Sequence, residues 1–195
     1  MSINLINSIN GPVVTIKGPT DLTMQEMVYV GSKKLIGEVI SISSERTTIQ
    51  VYETTTGLRV GEEIIGTGAP LSATLGPGII SNIFDGIERP LQDIEKTDGA
   101  FIGTGSSIPS LDTERKWDVT IKVSVGDELK GGDIYATCPE TPLIEHRCMV
   151  PPNLSGRVSA VMTNGQYTVN DCVVKLVDQK GVEHELTLCQ KWPIR

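Results

Sequence analysis

The sequence predicts a mostly β protein made of two β-rich units joined by a connecting stretch. Three observations carry this reading. Short β-branched runs alternate with Gly, Pro and Asp turn residues along nearly the whole chain. Helical periodicity is almost absent before residue 76. The 195 residues suffice for one large domain or two small ones, and with 38% apolar but only 4% aromatic content the core must be Val, Ile and Leu.

The first unit reads as about six short strands. Residues 11–17, from Gly11 and Pro12 through Val13-Val14, are closed by Gly18-Pro19. Residues 27–30 end at Gly31, residues 35–43 alternate loosely, and residues 46–53 alternate cleanly. Residues 62–66 follow Gly61, and residues 71–75 close the series. Short strands at such spacing predict a small barrel or a sandwich. At Gly76-Pro77-Gly78 the character changes. Residues 79–84 are expected to make one or two helical turns before Asp85-Gly86, and Arg89-Pro90-Leu91 to resume an extended path. Residues 98–110, rich in Gly, Ser and Thr, read as a linker or long exposed connection.

A second β-rich unit begins at Trp117. Val119 to Val125 alternates as a half-buried strand, and two Gly-Asp turns follow at Gly126-Asp127 and Gly132-Asp133. Asn164-Gly165 predicts a hairpin between Val158–Met162 and Tyr167–Val169. Gln179-Lys180-Gly181 predicts another, between Cys172–Val177 and Glu183–Cys189.

Chemistry is sparse. Net charge is −7 with no basic stripe, which argues against a nucleic-acid partner. A P-loop needs GxxxxGK[ST], and the chain contains no Gly-Lys dipeptide. The piece Gly103 to Ser107 is Gly-rich but lacks the Lys, so it reads as a flexible loop. The four cysteines, Cys138, Cys148, Cys172 and Cys189, form no CxxC pair, so they are expected as reduced core residues and no metal site is expected. His146 and Cys148 would share a strand face, a possible base and nucleophile, but no orienting third residue is indicated. A small hydrolase using Cys148 or a Ser with His146 is one alternative; no GxSxG supports it. His184 is expected to face solvent on a hairpin. Asp127 and Asp133 are explained by turn chemistry. No basic n-region precedes an apolar run at Met1, and no apolar stretch nears the roughly 18 residues that span a bilayer. The expectation is a soluble intracellular protein with no catalytic, cofactor-binding or metal residues of its own.

Two resemblances add to this. Ile121 to Ile134, with its two Gly-Asp turns, followed by Pro151-Pro152-Asn153-Leu154-Ser155-Gly156-Arg157-Val158, resembles the biotinyl/lipoyl carrier fold. That family needs a Lys at a hairpin tip between these elements, and here no Lys lies between Lys130 and Lys175. The likeness implies a barrel-sandwich shape, with a binding module lacking the carrier Lys as the alternative function.

The second resemblance runs end to end. Gly11-Pro12-Val13-Val14, Leu35 to Ile40, Gln50 to Leu58, Leu75 to Ile80, Phe84 to Leu91, Glu145 to Pro152 and Leu188 to Arg195 occur in the order and spacing that resemble the catalytic A subunit of V-type ATPases. The resemblance implies a six-stranded N-terminal β-barrel over 1–75 and a connecting segment with a short helix over 76–110. It implies a barrel-sandwich-like bulge, or non-homologous region, over 111–190, and the start of a connection to a nucleotide-binding domain over 191–195. In that family the barrels of A and B subunits form a collar on a hexameric head, and the bulge contacts the peripheral stalk. The resemblance implies a cytoplasmic head peripheral to the membrane, without membrane insertion. ATP and Mg would be bound by the full-length parent beyond Arg195, so this chain alone should not turn over ATP.

Overall fold

The computed structural model describes residues 4–80, 82–99 and 108–194. Two compact units emerge from the pattern of contacts. Among the described residues, one unit holds 4–73 with 92–99, 108 and 193–194, and the other holds 74–80, 82–91 and 109–192.

The first unit is a closed six-stranded barrel. Its strands are β1 (Asn4–Asn10), β2 (Val13–Lys17), β3 (Glu26–Val30), β4 (Leu35–Ile42), β5 (Arg46–Val51) and β6 (Glu63–Pro70), ordered β1-β2-β5-β4-β3-β6 with β6 returning to β1. The six-stranded count holds, but the membership differs from the sequence reading. The opening strand is Asn4–Asn10, whose Asn- and Ser-rich face hides it, and Gly11-Pro12 is the turn that follows, with Gly11 at φ 57°. Strand β7 (Ser72–Leu75) lies outside the barrel. Asn4 is buried because its amide donates to Asp21 Oδ1 at 2.9 Å while its oxygen accepts the Thr20 hydroxyl at 2.9 Å.

Alternation fills the barrel. Val28 and Val30 from β3, Leu35 and Val39 from β4, and Ile49 from β5 are fully buried. Register shifts between Ile6 and Ser8, Glu26 and Val28, and Val39 and Ser41 mark irregularities that help a short sheet curl closed. Closure leaves no free strand edge in this barrel.

The described residues of the segment 79–84 are not helical. Asp85 organises a turn instead, its Oδ1 accepting the amides of Ile87 and Arg89 and its Oδ2 pairing with Arg89 Nε at 2.7 Å. Phe84 bridges to Pro90. Helix α1 (Leu91–Asp98) begins where the sequence suggests extended chain; Asp93 sits in its first turn and Lys96 in its last, which suits the helix dipole. Its polar composition conceals it, since only Ile94 is buried among its described side chains.

The second unit is a sandwich of two four-stranded sheets. Its strands are β8 (Trp117–Ile121), β9 (Glu128–Leu129), β10 (Ile134–Pro139), β11 (Glu145–Met149), β12 (Gly156–Val161), β13 (Gly165–Tyr167), β14 (Val174–Asp178) and β15 (Glu183–Leu186), with β16 (Gln190–Pro193) following. One sheet runs β11-β10-β8-β13 and the other β15-β14-β12-β9. Trp117, Val119, Tyr135, Val158, Val174 and Leu176 meet in the core. The hairpin expected at Asn164-Gly165 does not form between β12 and β13. Strand β12 pairs with β14 along one edge and with β9 only at Gly156 and Arg157 on the other; the chain then crosses sheets and β13 pairs with β8, Gly165 opposite Val119. Asn164 instead accepts the Ile121 amide at 2.8 Å. The β14–β15 hairpin forms as expected around Asp178, which accepts the amides of Lys180 and Val182.

Gly156 lies where strands cannot separate. A Cβ there would sit 2.2 Å from the Val177 carbonyl oxygen and 2.6 Å from Leu176 Cδ2. Gly156→Ala is therefore expected to destabilise this unit by about 1–3 kcal/mol, because the first clash is with backbone. Urea unfolding followed by tryptophan fluorescence checks it, since Trp117 and Trp192 are the only tryptophans. A loss below about 0.5 kcal/mol would contradict the packing described.

Candidate functional site

Two polar features stand out in the second unit: the pair of Gly-Asp turns before β10, and the β10–β11 hairpin tip at the opposite end of that strand. The turns are near copies. Asp127 Oδ2 accepts the Ser124 amide at 2.8 Å, and Asp133 Oδ2 accepts the Lys130 amide at 2.9 Å. Gly126 and Gly132 adopt φ of 100° and 92°, open to glycine alone without strain. Backbone bonds join the turns to distant strands: Gly126 to Val158 and Gly132 to Val150. Both carboxylates serve turn structure, as the sequence predicts.

A groove of about 510 Å³ beside these turns is lined by Glu128, Lys130, Asp133, Arg157, Asp178 and Gln179, among others. Its polar groups are largely committed. Arg157 Nε donates to the Gly126 carbonyl at 3.0 Å, and Asp133 and Asp178 hold their turns. With Arg157, Asp133 and Asp178 already bonded locally, the lining charges of both signs do not assemble an acid–base pair.

The hairpin tip is Glu140–Ile144. Thr141 Oγ1 accepts the amides of Leu143 and Ile144, and the Glu140 amide donates to the Ile144 carbonyl at 2.9 Å. Leu143 is 95% exposed. A carrier would need an amine at this tip to be acylated; the sequence supplies Pro142, Leu143 and Ile144 instead.

Glu140 itself turns inward. Its Oε1 accepts the amides of Gly78 at 2.8 Å and Ile80 at 3.1 Å. Its Oε2 lies 3.7 Å from His146 Nδ1 on β11 and has no hydrogen-bond partner. Burial pulls His146 below its ordinary pKa, while the charge of Glu140, and then the nearby Glu140 and Leu188 acceptors, act the other way.

His146 and Cys148 do share a strand face, but the ring is directed to Glu140. Burial, then the neighbouring Cys138 and Cys189 thiols, pushes Cys148 up to about 12. Cys138 is pushed up to about 11, by burial first and then by Glu140 and Glu145. Both thiols are core residues and stay protonated near neutrality, so neither is an activated nucleophile. All four cysteines are free; Cys172 and Cys189 are only partly buried. His184 is less free than alternation suggests: its Nε2 lies 3.1 Å from Asp178 Oδ2. The Val182 amide, then the His184 side chain and the Lys180 amide, hold Asp178 below the usual carboxylate range. Among the described residues no group of three His, Cys, Asp or Glu side chains is arranged to hold a metal. The Gly-rich stretch 103–107 lies outside the described residues.

Comparison with known proteins places both units. Residues 6–68 match the model of the ATP synthase alpha/beta family, beta-barrel domain. Residues 108–195 match the ATP synthase alpha/beta subunit barrel-sandwich domain. The chain belongs to the ATP synthase alpha/beta family. Within that family its relatives include the V-type ATP synthase alpha chain of Halothermothrix orenii, 50% identical over 96% of this chain and 32% of that protein. The V-type ATP synthase alpha chain 2 of Clostridium tetani is 49% identical over 99% of this chain and 32% of its own length. The A subunit of the A-type ATP synthase of Methanopyrus kandleri is 47% identical over 97% and 33%. The chain thus spans about a third of the length of these curated relatives. Among solved structures, the assembled ATPase EscN of the enteropathogenic E. coli type III secretion system aligns with 46% of this chain and 21% of its own, at 21% identity and a TM-score of 0.40. The end-to-end likeness to V-type A subunits that the sequence carries agrees with these relatives. No helix among the described residues is long and apolar enough to cross a membrane.

Proposed function

We propose that this chain acts as the non-catalytic N-terminal part of the A subunit of a rotary V-type ATPase or ATP synthase, serving assembly of the head and contact with the peripheral stalk. One observation carries the reading. Relatives that are alpha chains or A subunits align through both units at 47–50% identity, and the matched sequence contains no Gly-Lys dipeptide from which a P-loop could be built. The barrel is the part that packs beside B subunits and other A subunits in a hexameric ring; a closed barrel can associate through its sides without exposing strand edges. The sandwich is the outboard part that meets the stalk. ATP and Mg belong to the parent protein, whose turnover is coupled to H⁺ or Na⁺ movement, in a cytoplasmic head peripheral to the membrane.

Two measurements test this. The purified 195-residue chain is expected to show no magnesium-dependent ATP turnover above a buffer and host-contaminant control; turnover would overturn the reading. In a full-length A subunit carrying this sequence, removal of residues 111–190 is expected to spare the head's assembly with B subunits and to abolish co-purification of the stalk. Retained stalk binding would overturn the docking role.

A further inference from the structure

The pairing of Glu140 with His146 has a geometry that turn and core packing do not require. Glu140 is nearly sealed from solvent, its side chain 1% exposed, while the His146 ring is 21% exposed. Two amides on the segment 76–80 fix Oε1, so the carboxylate cannot swing. Oε2 is left without a hydrogen bond and faces Nδ1 across 3.7 Å. That is within ion-pair range but beyond a normal hydrogen bond. A neutral imidazole has one N–H, and across 3.7 Å it makes no hydrogen bond to Oε2.

We propose that Glu140 Oε2 and His146 Nδ1 form a binding site for one additional proton, which closes a clasp joining the segment 76–80 to the β10–β11 hairpin. Protonation makes both ring nitrogens donors, so Nδ1 bonds Oε2 as a charge-assisted pair. Because Glu140 is anchored by Gly78 and Ile80, the ring and β11 are the parts that move. The surroundings offer no competing ionised partner among the described residues. Cys138, opposite His146 on β10, is a thiol that burial keeps protonated, and Leu188 presents a carbonyl. On its own strand, Glu145 and Arg147 are exposed where His146 is half-buried.

The sign follows from the ring's environment. Burial outweighs the carboxylate, so the folded protein takes this proton at lower pH than an unfolded chain does. Acidification through the ordinary His range therefore lowers stability, and the loss stops once the folded pair is itself protonated. The clasp closes under mild acid, at a cost in stability.

The chain has only two histidines, so ring titration by ¹⁵N NMR is direct, with His184→Ala used for assignment. The His146 ring is expected to titrate below the ordinary His midpoint of about 6.5, with the Gly78 and Ile80 amide shifts following the same midpoint. In Glu140→Gln the ring midpoint is expected to drop further, by about one unit, because the attracting charge is gone. In His146→Gln the two amide transitions should vanish. Amides of Gly78 and Ile80 that stay flat through the ring's transition would overturn the clasp. An unchanged midpoint in Glu140→Gln would overturn the shared site. Should Glu140→Gln fail to fold, the wild-type and His146→Gln amide titrations still decide.

Discussion

Trp117→Ala is expected to cost the sandwich unit about 3–5 kcal/mol, the largest single-residue loss in the molecule. Trp117 is 4% exposed and sits in the core cluster with Val119, Tyr135 and Val158. Arg115 lies over its ring at 3.9 Å from the centroid, and the space above Gly78 is closed by its Cζ2. Truncation would therefore open a cavity and remove support from the segment that carries the Gly78 amide. The indole N–H is buried without a hydrogen-bond partner. That sharpens the test. Trp117→Phe keeps most of the ring volume and removes an unsatisfied donor, so it should recover most of the loss. Urea unfolding followed by far-UV circular dichroism compares the three proteins. A Phe variant as unstable as the Ala variant would show that ring packing is not the source of stability.

Glu26→Ala is expected to cost the barrel about 3 kcal/mol. Glu26 opens β3 and is 4% exposed. Its Oε2 accepts the Thr23 amide at 2.7 Å and the Thr23 hydroxyl at 3.0 Å, and its Oε1 accepts the Gly68 amide at 2.8 Å. The side chain thereby ties the entry to β3 onto β6, in the room left by Gly66, where a Cβ would lie 2.4 Å from Oε1. Alanine would remove three charge-assisted hydrogen bonds that hold Thr23 and Gly68 and leave a gap beside Leu22. Glu26→Gln keeps the shape and one carbonyl acceptor, so its loss should be roughly half as large. The barrel contains no tryptophan, so circular dichroism or amide exchange of β3 and β6 must report the change. Equal losses for Ala and Gln, or an Ala loss below about 1 kcal/mol, would refute the staple.

Both predictions rest on contacts that the sequence does not disclose. Trp117 reads as the start of a strand, but its neighbours at Gly78 and Arg115 depend on which segments fold beside it. Glu26 precedes an apolar run and looks like an ordinary surface carboxylate until β6 is brought alongside. The same limit explains the misplaced elements. Asn4–Asn10 is a strand because the barrel needs a sixth member to close, not because its residues favour one. Leu91–Asp98 is a helix with little apolar periodicity to announce it. Asn164-Gly165 carries a strong local hairpin signal, overridden because Gly165–Tyr167 pairs with β8 in the other sheet. The Glu140–His146 pair is invisible for the same reason: the carboxylate's partners include amides about sixty residues away.

The sequence alone determined the β class, the two units, the Gly-Asp turns and the absence of a P-loop motif, because alternation, turn residues and short motifs are properties of neighbours in the chain. Its ordered motifs also pointed to V-type A subunits, in agreement with relatives about half identical to it. Only the tertiary structure decided which strands close the barrel, where the chain crosses between sandwich sheets, and that His146 turns to Glu140 rather than acting with Cys148. Those choices are set by sheet closure and by burial of polar atoms, which are settled between segments far apart in sequence.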